Sequence, residues 1–148
     1  MATGNRGYIT EKDIRTFMQD DEQAKNLLLD DFEFTPEDIR SAQTFVIDKW
    51  NETPPPVGVY RYDSFPFRYH LLMAVAGHLL TSKALGYARN DLKYQIGGGS
   101  IDDKSKWDIY FKLGSHFTTT FNEWMRHKKV ELNMEQGWGF DPKSLTSK

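Results

Sequence analysis

The chain of 148 residues has a formal net charge of −2 and carries ten Phe, seven Tyr and four Trp; that length suits one domain with one ordinary core, and the aromatic content argues against disorder. Cysteine is absent, which excludes disulfides, thiolate metal sites and thiol redox chemistry, and fits a reducing compartment or a cysteine-free particle alike. No apolar run approaches the ~20 residues that span a bilayer, and no signal-type apolar core follows Met1 to Asn5, so the sequence predicts a protein made in the cytosol and used there or in something assembled there, with no membrane partner.

The charge is unevenly spread. Residues 1–53 hold six Lys/Arg against twelve Asp/Glu, net −6, and residues 54–148 hold thirteen against nine, net +4. Opposite signs at opposite ends let copies of a chain complement one another, and two ordinary solvated surfaces explain the same counts. Neither half is basic enough to mark a nucleic-acid binder.

A first helix is predicted from Thr10, whose hydroxyl can cap the amides of Glu11 to Asp13, with Ile14, Phe17 and Met18 as its apolar stripe. Asp20 to Phe34 reads as an irregular acidic connection in which Leu27, Leu28 and Leu29 anchor a polar segment to the core. Thr35-Pro36-Glu37-Asp38 is the clearest helix start: an N-cap hydroxyl, a proline where no amide is missed, and two acids at the positive end of the helix dipole. Ile39, Ala42, Val46 and Trp50 follow at helical spacing, and Phe45 and Ile47 broaden that face. Pro54, Pro55 and Pro56 stop the helix and predict a stiff connector of polyproline type, followed by a short strand or extended arm over Val57 to Tyr62.

The third helix is expected to start near Ser64 to Phe67, with Pro66 in its first turn, and to run to about Arg89. Leu71, Leu72, Val75, Ala76, Leu79, Leu80, Ala84 and Tyr87 make it a core helix, and Gly77 and Gly86 leave gaps where another backbone can approach. Leu92, Tyr94 and Ile96 then alternate with Lys93 and Gln95 at strand periodicity, and Gly97, Gly98 and Gly99 permit a turn, so residues 90–100 read as a hairpin or protruding loop. Ser100 is expected to cap the longest helix, with Asp102 and Asp103 in its first turn and its end near Asn133. Trp107, Tyr110, Phe111, Gly114, Phe117, Phe121, Trp124, Met125 and Lys128 trace its broad face, while Arg126, Lys128 and Lys129 sit near its negative end. Trp138 and Phe140 lie in an irregular aromatic tail that should dock on this subunit or on a neighbour.

These elements make a mainly α, single-domain chain. A bundle of about four helices carries an extended arm, a Gly-rich hairpin or loop between its two longest helices, and an irregular aromatic C-terminal tail. Residues 1–34 form an acidic N-terminal segment with a short helix, residues 35–133 the helical core with the loop at 90–100, and residues 134–148 a C-terminal arm.

Chemistry-bearing patterns are sparse. His70 and His78 on the third helix and His116 and His127 on the fourth lack the Glu-x-x-His pairs that bundle metal sites use, so packing or surface exposure explains them better. Ser100-Asp102-Asp103 and Ser115-His116 come without a nucleophile elbow. Gly97-Gly98-Gly99-Ser100 ahead of a helix resembles a phosphate cradle, but Lys104 lies too far on for a P-loop and Asp102-Asp103 would repel phosphate. No catalytic residue, metal or cofactor is therefore assigned. Arg61, Arg68, Lys83, Arg89 and Lys93 make residues 61–100 the most basic stretch, five positive charges against two negative. Facing a channel, Arg61, Arg68, Arg89 and Lys93 would tolerate passing DNA without reading it; solvated helix faces are the alternative.

Asn90-Asp91-Leu92-x-Tyr94-x-x-Gly97-Gly98, the long aromatic helix behind it, and Lys128-Lys129-x-x-Leu132-Asn133 followed by Trp138-Gly139 resemble structural proteins of tailed-bacteriophage particles, in particular the small helical head-to-tail adaptor (connector) proteins that dock beneath the portal. Trp50-Asn51-Glu52-Thr53-Pro54-Pro55 and Leu79-Leu80-x-x-Lys83-Ala84 extend the likeness over roughly residues 10–140. The resemblance implies a helical bundle present as a ring of identical copies, commonly a dodecamer, held between the portal protein and a tail or neck protein in the virion neck. It implies no catalytic residue, and it makes Asn90, Asp91, Tyr94 and Gly97 to Gly99 a candidate assembly loop, and Trp138 and Phe140 a candidate inter-subunit arm. The long acidic front segment and the aromatic tail depart from a plain bundle and suit a collar, tail-completion or baseplate role equally. A small nucleotide- or metal-binding enzyme or regulator is the alternative from another class.

Overall fold

The structure, a computed structural model, describes the backbone of residues 8–23, 31–94 and 103–137, and the side chains of all of these except 90–94 and 103–106. Four helices pack together, α1 (Glu11–Met18), α2 (Pro36–Glu52), α3 (Arg68–Tyr94) and α4 (Asp103–Gly137), with a 3-10 turn at Tyr62–Ser64. The described residues contain no strand.

The α3–α4 pair is the frame, and α2 and α1 both rest mainly on α3. Two small residues let the long helices touch. A Cβ on Gly77 would lie 2.9 Å from Thr118 Oγ1 and 3.1 Å from Thr118 N, and one on Gly114 would lie 2.7 Å from Thr81 Oγ1, 3.0 Å from Thr81 N and 3.1 Å from the Gly77 carbonyl. Each helix thus presents a glycine with a threonine one turn on, and each glycine receives the other helix's threonine. That reciprocal pairing makes the helices antiparallel and fixes their register. Gly86, expected to be a second such gap, meets nothing within 4 Å and borders an open cleft instead.

Local sequence accounts for the starts of α1 and α2. Thr10 and Thr35 each accept the backbone N–H three residues on, and the carboxylates of Asp13 and Asp38 accept the N–H of the capping threonine in return, two reciprocal capping boxes. Pro36 takes the first position of α2, as predicted. Ile39, Ala42, Val46, Ile47 and Trp50 turn into the core. Phe45 does not; 59% of it is exposed, because α2 leans on α3 with a stripe narrower than its apolar residues would fill.

Trp50 centres the core, fully buried, with ring centroids at 5.1 Å from Phe65, 5.9 Å from Phe67 and 5.7 Å from Trp124. The segment after the prolines is no free arm and no strand. The Asn51 side chain donates to the Tyr60 carbonyl and accepts the Tyr60 N–H, at 2.9 and 3.0 Å, and Val57 is buried, so the chain doubles back along the bundle instead of running out as a polyproline rod. Lys129, wholly buried on α4, donates to the carbonyls of Thr53 and Pro55 and stands 5.1 Å over the Trp50 ring.

α3 begins at Arg68, after Pro66 rather than around it, and continues to Tyr94. Leu92, Lys93 and Tyr94 are therefore helical, contrary to the strand periodicity: three alternating positions do not outweigh extension of a helix already nucleated. α4 outlasts its expected end at Asn133 by one turn. Arg68–Arg89 proves long and apolar enough by composition to cross a membrane, which inspection for unbroken apolar runs missed; half of that stretch is buried inside the bundle, as befits its central helix. Leu27 to Leu29 and the Ser100 cap lie outside the described residues.

Candidate assembly surfaces

Exposed apolar side chains stand toward both ends of the α3–α4 pair, Tyr69, Val130 and Met134 toward one and Leu85 and Ile109 toward the other. Among the described residues, the side chains of Lys83 and Tyr87 are the last on α3 to be tied to the segment ahead of α2. Beyond them α3 runs seven residues further, about 10 Å at the helical rise, antiparallel to the start of α4. Around this bare end Leu85 is 71% exposed, Ile109 59%, and Phe111 is also open to solvent. A group of exposed apolar residues of this kind is a candidate contact surface.

Of the candidate assembly loop, Asn90, Asp91 and Tyr94 fall in the last two turns of α3, within this bare end. Gly97, Gly98 and Gly99 lie outside the described residues, as do Trp138 and Phe140 of the candidate arm.

Where cover stops, a polar clasp holds the N-terminal segment down. Glu33 accepts hydrogen bonds from the hydroxyl of Tyr87 at 3.0 Å and from that of Tyr110 at 2.8 and 3.0 Å, while Lys83 Nζ donates to the Glu33 carbonyl at 2.8 Å. Buried Asp20 accepts the backbone N–H groups of Glu33 and Phe34 at 2.8 and 3.1 Å and the Arg15 guanidinium at 3.0 Å. Arg15 also pairs with Glu11 at 2.8 Å and lies 4.6 Å over the Phe32 ring. Burial, then the hydrogen bond and charge of Glu33, push the Tyr110 phenol far above its ordinary range, so it stays a donor at any physiological pH. Sequence reading missed this clasp. Its partners stand up to 77 residues apart, and nothing in the local pattern pairs them.

The four candidate channel residues are not gathered into one surface. Arg61 is exposed beside Asp63 at 3.6 Å, and Arg68 opens α3, 3.8 Å from Asp13, with its Nε buried and without a hydrogen-bond partner. Arg89 is exposed, and Lys93 lies in the last turn of α3, so the two pairs stand about 32 Å apart along the helix. Buried Leu79 lies on the same side of α3 between them, interrupting any continuous basic stripe.

The histidines are dispersed. His70 stacks on Trp124 with centroids 3.8 Å apart, and His78 stacks on Phe45 at 5.3 Å; burial lowers the pKa of both, and Lys49 adds to the effect at His78. Among the described residues no group of three His, Asp or Glu side chains could hold a metal ion. Comparison with protein-family models, with characterised proteins and with solved structures finds no match.

Proposed function

We propose that this protein is a non-enzymatic structural part of a tailed-bacteriophage particle, a head-to-tail adaptor standing as a ring of copies beneath the portal and continuing the DNA channel toward the tail. The observation that carries this reading is the bare end of the α3–α4 pair, which sets Leu85, Ile109 and Phe111 in solvent on the way to the helical turns of Asn90, Asp91 and Tyr94. A helix pair that outreaches its own bundle is a natural element for a head-to-tail contact, where one face of a copy meets a different face of the next. The residue patterns over 10–140 and the opposite charge of the two halves favour the same reading. Contact with DNA in such a ring would come from separate cationic points and be sequence-independent.

Quantitative mass spectrometry of density-purified particles from the source of this chain tests the proposal. About a dozen copies per particle is expected; absence from the particle removes the structural role. Deleting Gly97 to Gly99 is expected to leave a folded chain that fails to join heads to tails, and normal infectious particles from that deletion would sink the assignment of the loop. A second reading, a collar, tail or baseplate component, is favoured by the acidic front segment, whose Arg15–Asp20–Glu33 clasp commits it to the bundle. Labelling its position in micrographs separates the two.

A further inference from the structure

Because α2 rests on α3, a cleft of about 260 Å³ remains between α2 and α4. Its polar lining is one-sided: Lys49 from α2, His78 and Thr81 from α3, and Ser115, Thr118 and Thr119 from α4, with no carboxylate among them. Buried Val46, Ala74 and Phe121 make the rest of the wall. On α4, Ser115, Thr118, Thr119, Asn122 and Arg126 share an arc of about 100°, so one face of that helix carries hydroxyls, an amide and a guanidinium in sequence.

Neither Lys49 nor Arg126 forms an ion pair among the described residues, although each has acidic residues within four positions on its own helix. They are close enough to affect one another. Burial and then the charge of Arg126 lower the pKa of the Lys49 amine, and burial and then Lys49 lower that of His78. Lys49 thus brings a positive charge without an ion pair to a cleft whose lining holds no carboxylate.

We propose that this cleft binds a tetrahedral oxyanion, a phosphate group, with Lys49 neutralising its charge and the hydroxyls of Ser115, Thr118 and Thr119 donating to its oxygens. Hydroxyls and an ammonium group lining one cleft supply donors, which phosphate oxygens require. The volume lies below the range usual for drug-sized ligands and suits an ion or the phosphate end of a phosphomonoester. The stacked Phe45–His78 pair lines both this cleft and a neighbouring one of about 470 Å³, so the organic part of a monoester would run past the rim of that pair. The site is independent of the adaptor reading: it requires only the α2–α4 cleft.

The test titrates inorganic phosphate into the full-length protein at constant ionic strength, following the His78 ring resonances and the melting temperature. A saturable shift of His78, an upward move of its titration and a rise in melting temperature are expected, all absent with chloride. Lys49→Gln is expected to weaken binding by about tenfold or more, the worth of a charge-assisted hydrogen bond, and Thr119→Val by less. Lys112→Gln, which removes an exposed cation elsewhere on α4, should leave binding unchanged. A linear, unsaturable response, or equal responses in Lys49→Gln and the parent, overturns the proposal. A glycerol phosphate arm separates the free ion from a monoester, either of which supports the site. Stabilisation by duplex DNA without any by phosphate or glycerol phosphate would also overturn it, since that is a diffuse polyanion surface rather than a pocket.

Discussion

The two ends of the α3–α4 pair are built alike and used differently. At the base, α1, α2 and the proline connector wall the helices in, and three buried features converge there: the Trp50 cluster, the Gly77–Gly114 crossing, and Lys129 on the connector carbonyls. At the far end the same helices run on with Leu85, Ile109 and Phe111 in solvent. The difference is one of length. α2 has 17 residues against 27 and 35 for α3 and α4, so it cannot cover what extends beyond it. The base carries the stability, and the far end is free to carry contacts because little of the fold depends on it.

Substitutions at the base should cost most. Asp20→Ala takes one of two carboxylates from the buried Arg15 guanidinium and strands two backbone amides, and Trp50→Ala empties the core; each is expected to lose about 3–5 kcal/mol in urea unfolding. A loss below about 1 kcal/mol for both would break the contrast between the ends. Next comes the helix crossing. Gly114→Ala drives a methyl against the backbone of Thr81 and Gly77, atoms that cannot rotate away, and should cost about 1–3 kcal/mol despite the gain in helix propensity. Gly86→Ala, with open space around it, should instead be neutral or stabilise by up to about 1 kcal/mol. Equal effects at the two glycines would show that the crossing is looser than its distances imply.

Acidification probes the base more gently. His70 and His78 both have folded pKa values below the ordinary 6.5, so the unfolded chain takes up protons first. The stability they contribute is fully present above pH ~6.5 and is lost as pH falls through their folded values. The melting temperature should therefore drop between pH 7 and 5, and the drop should flatten in a His70→Gln, His78→Gln double variant. The smallest effect on folding belongs to the far end. Leu85→Glu with Ile109→Lys should change stability by no more than about 0.5 kcal/mol each, yet abolish incorporation into particles if that end makes the contact. Normal incorporation would move the contact elsewhere.

Much of the architecture was legible because its causes are local. Two capping threonines, Pro36 and long apolar periodicities placed four helices and most of the core, including Ile14, Trp50, Val75 and Phe121. Phe45 was misplaced for a definite reason: periodicity gives the apolar side of a helix, not how wide a strip its neighbour covers. The extension of α3 through Lys93 was missed because three alternating residues imitate a strand.

Sequence by itself determined that the chain is mainly helical and where its four helices lie, apart from the last turns of α3, since capping and 3.6-residue spacing act within a few residues of each other. Only the tertiary structure decided that Glu33 would meet Tyr110, that Lys129 would close on the carbonyls of Thr53 and Pro55, and that Lys49 would share a cleft with His78 and Thr119. Those partners are brought together by the register of helices crossing at glycine, a three-dimensional fit that no local spacing encodes.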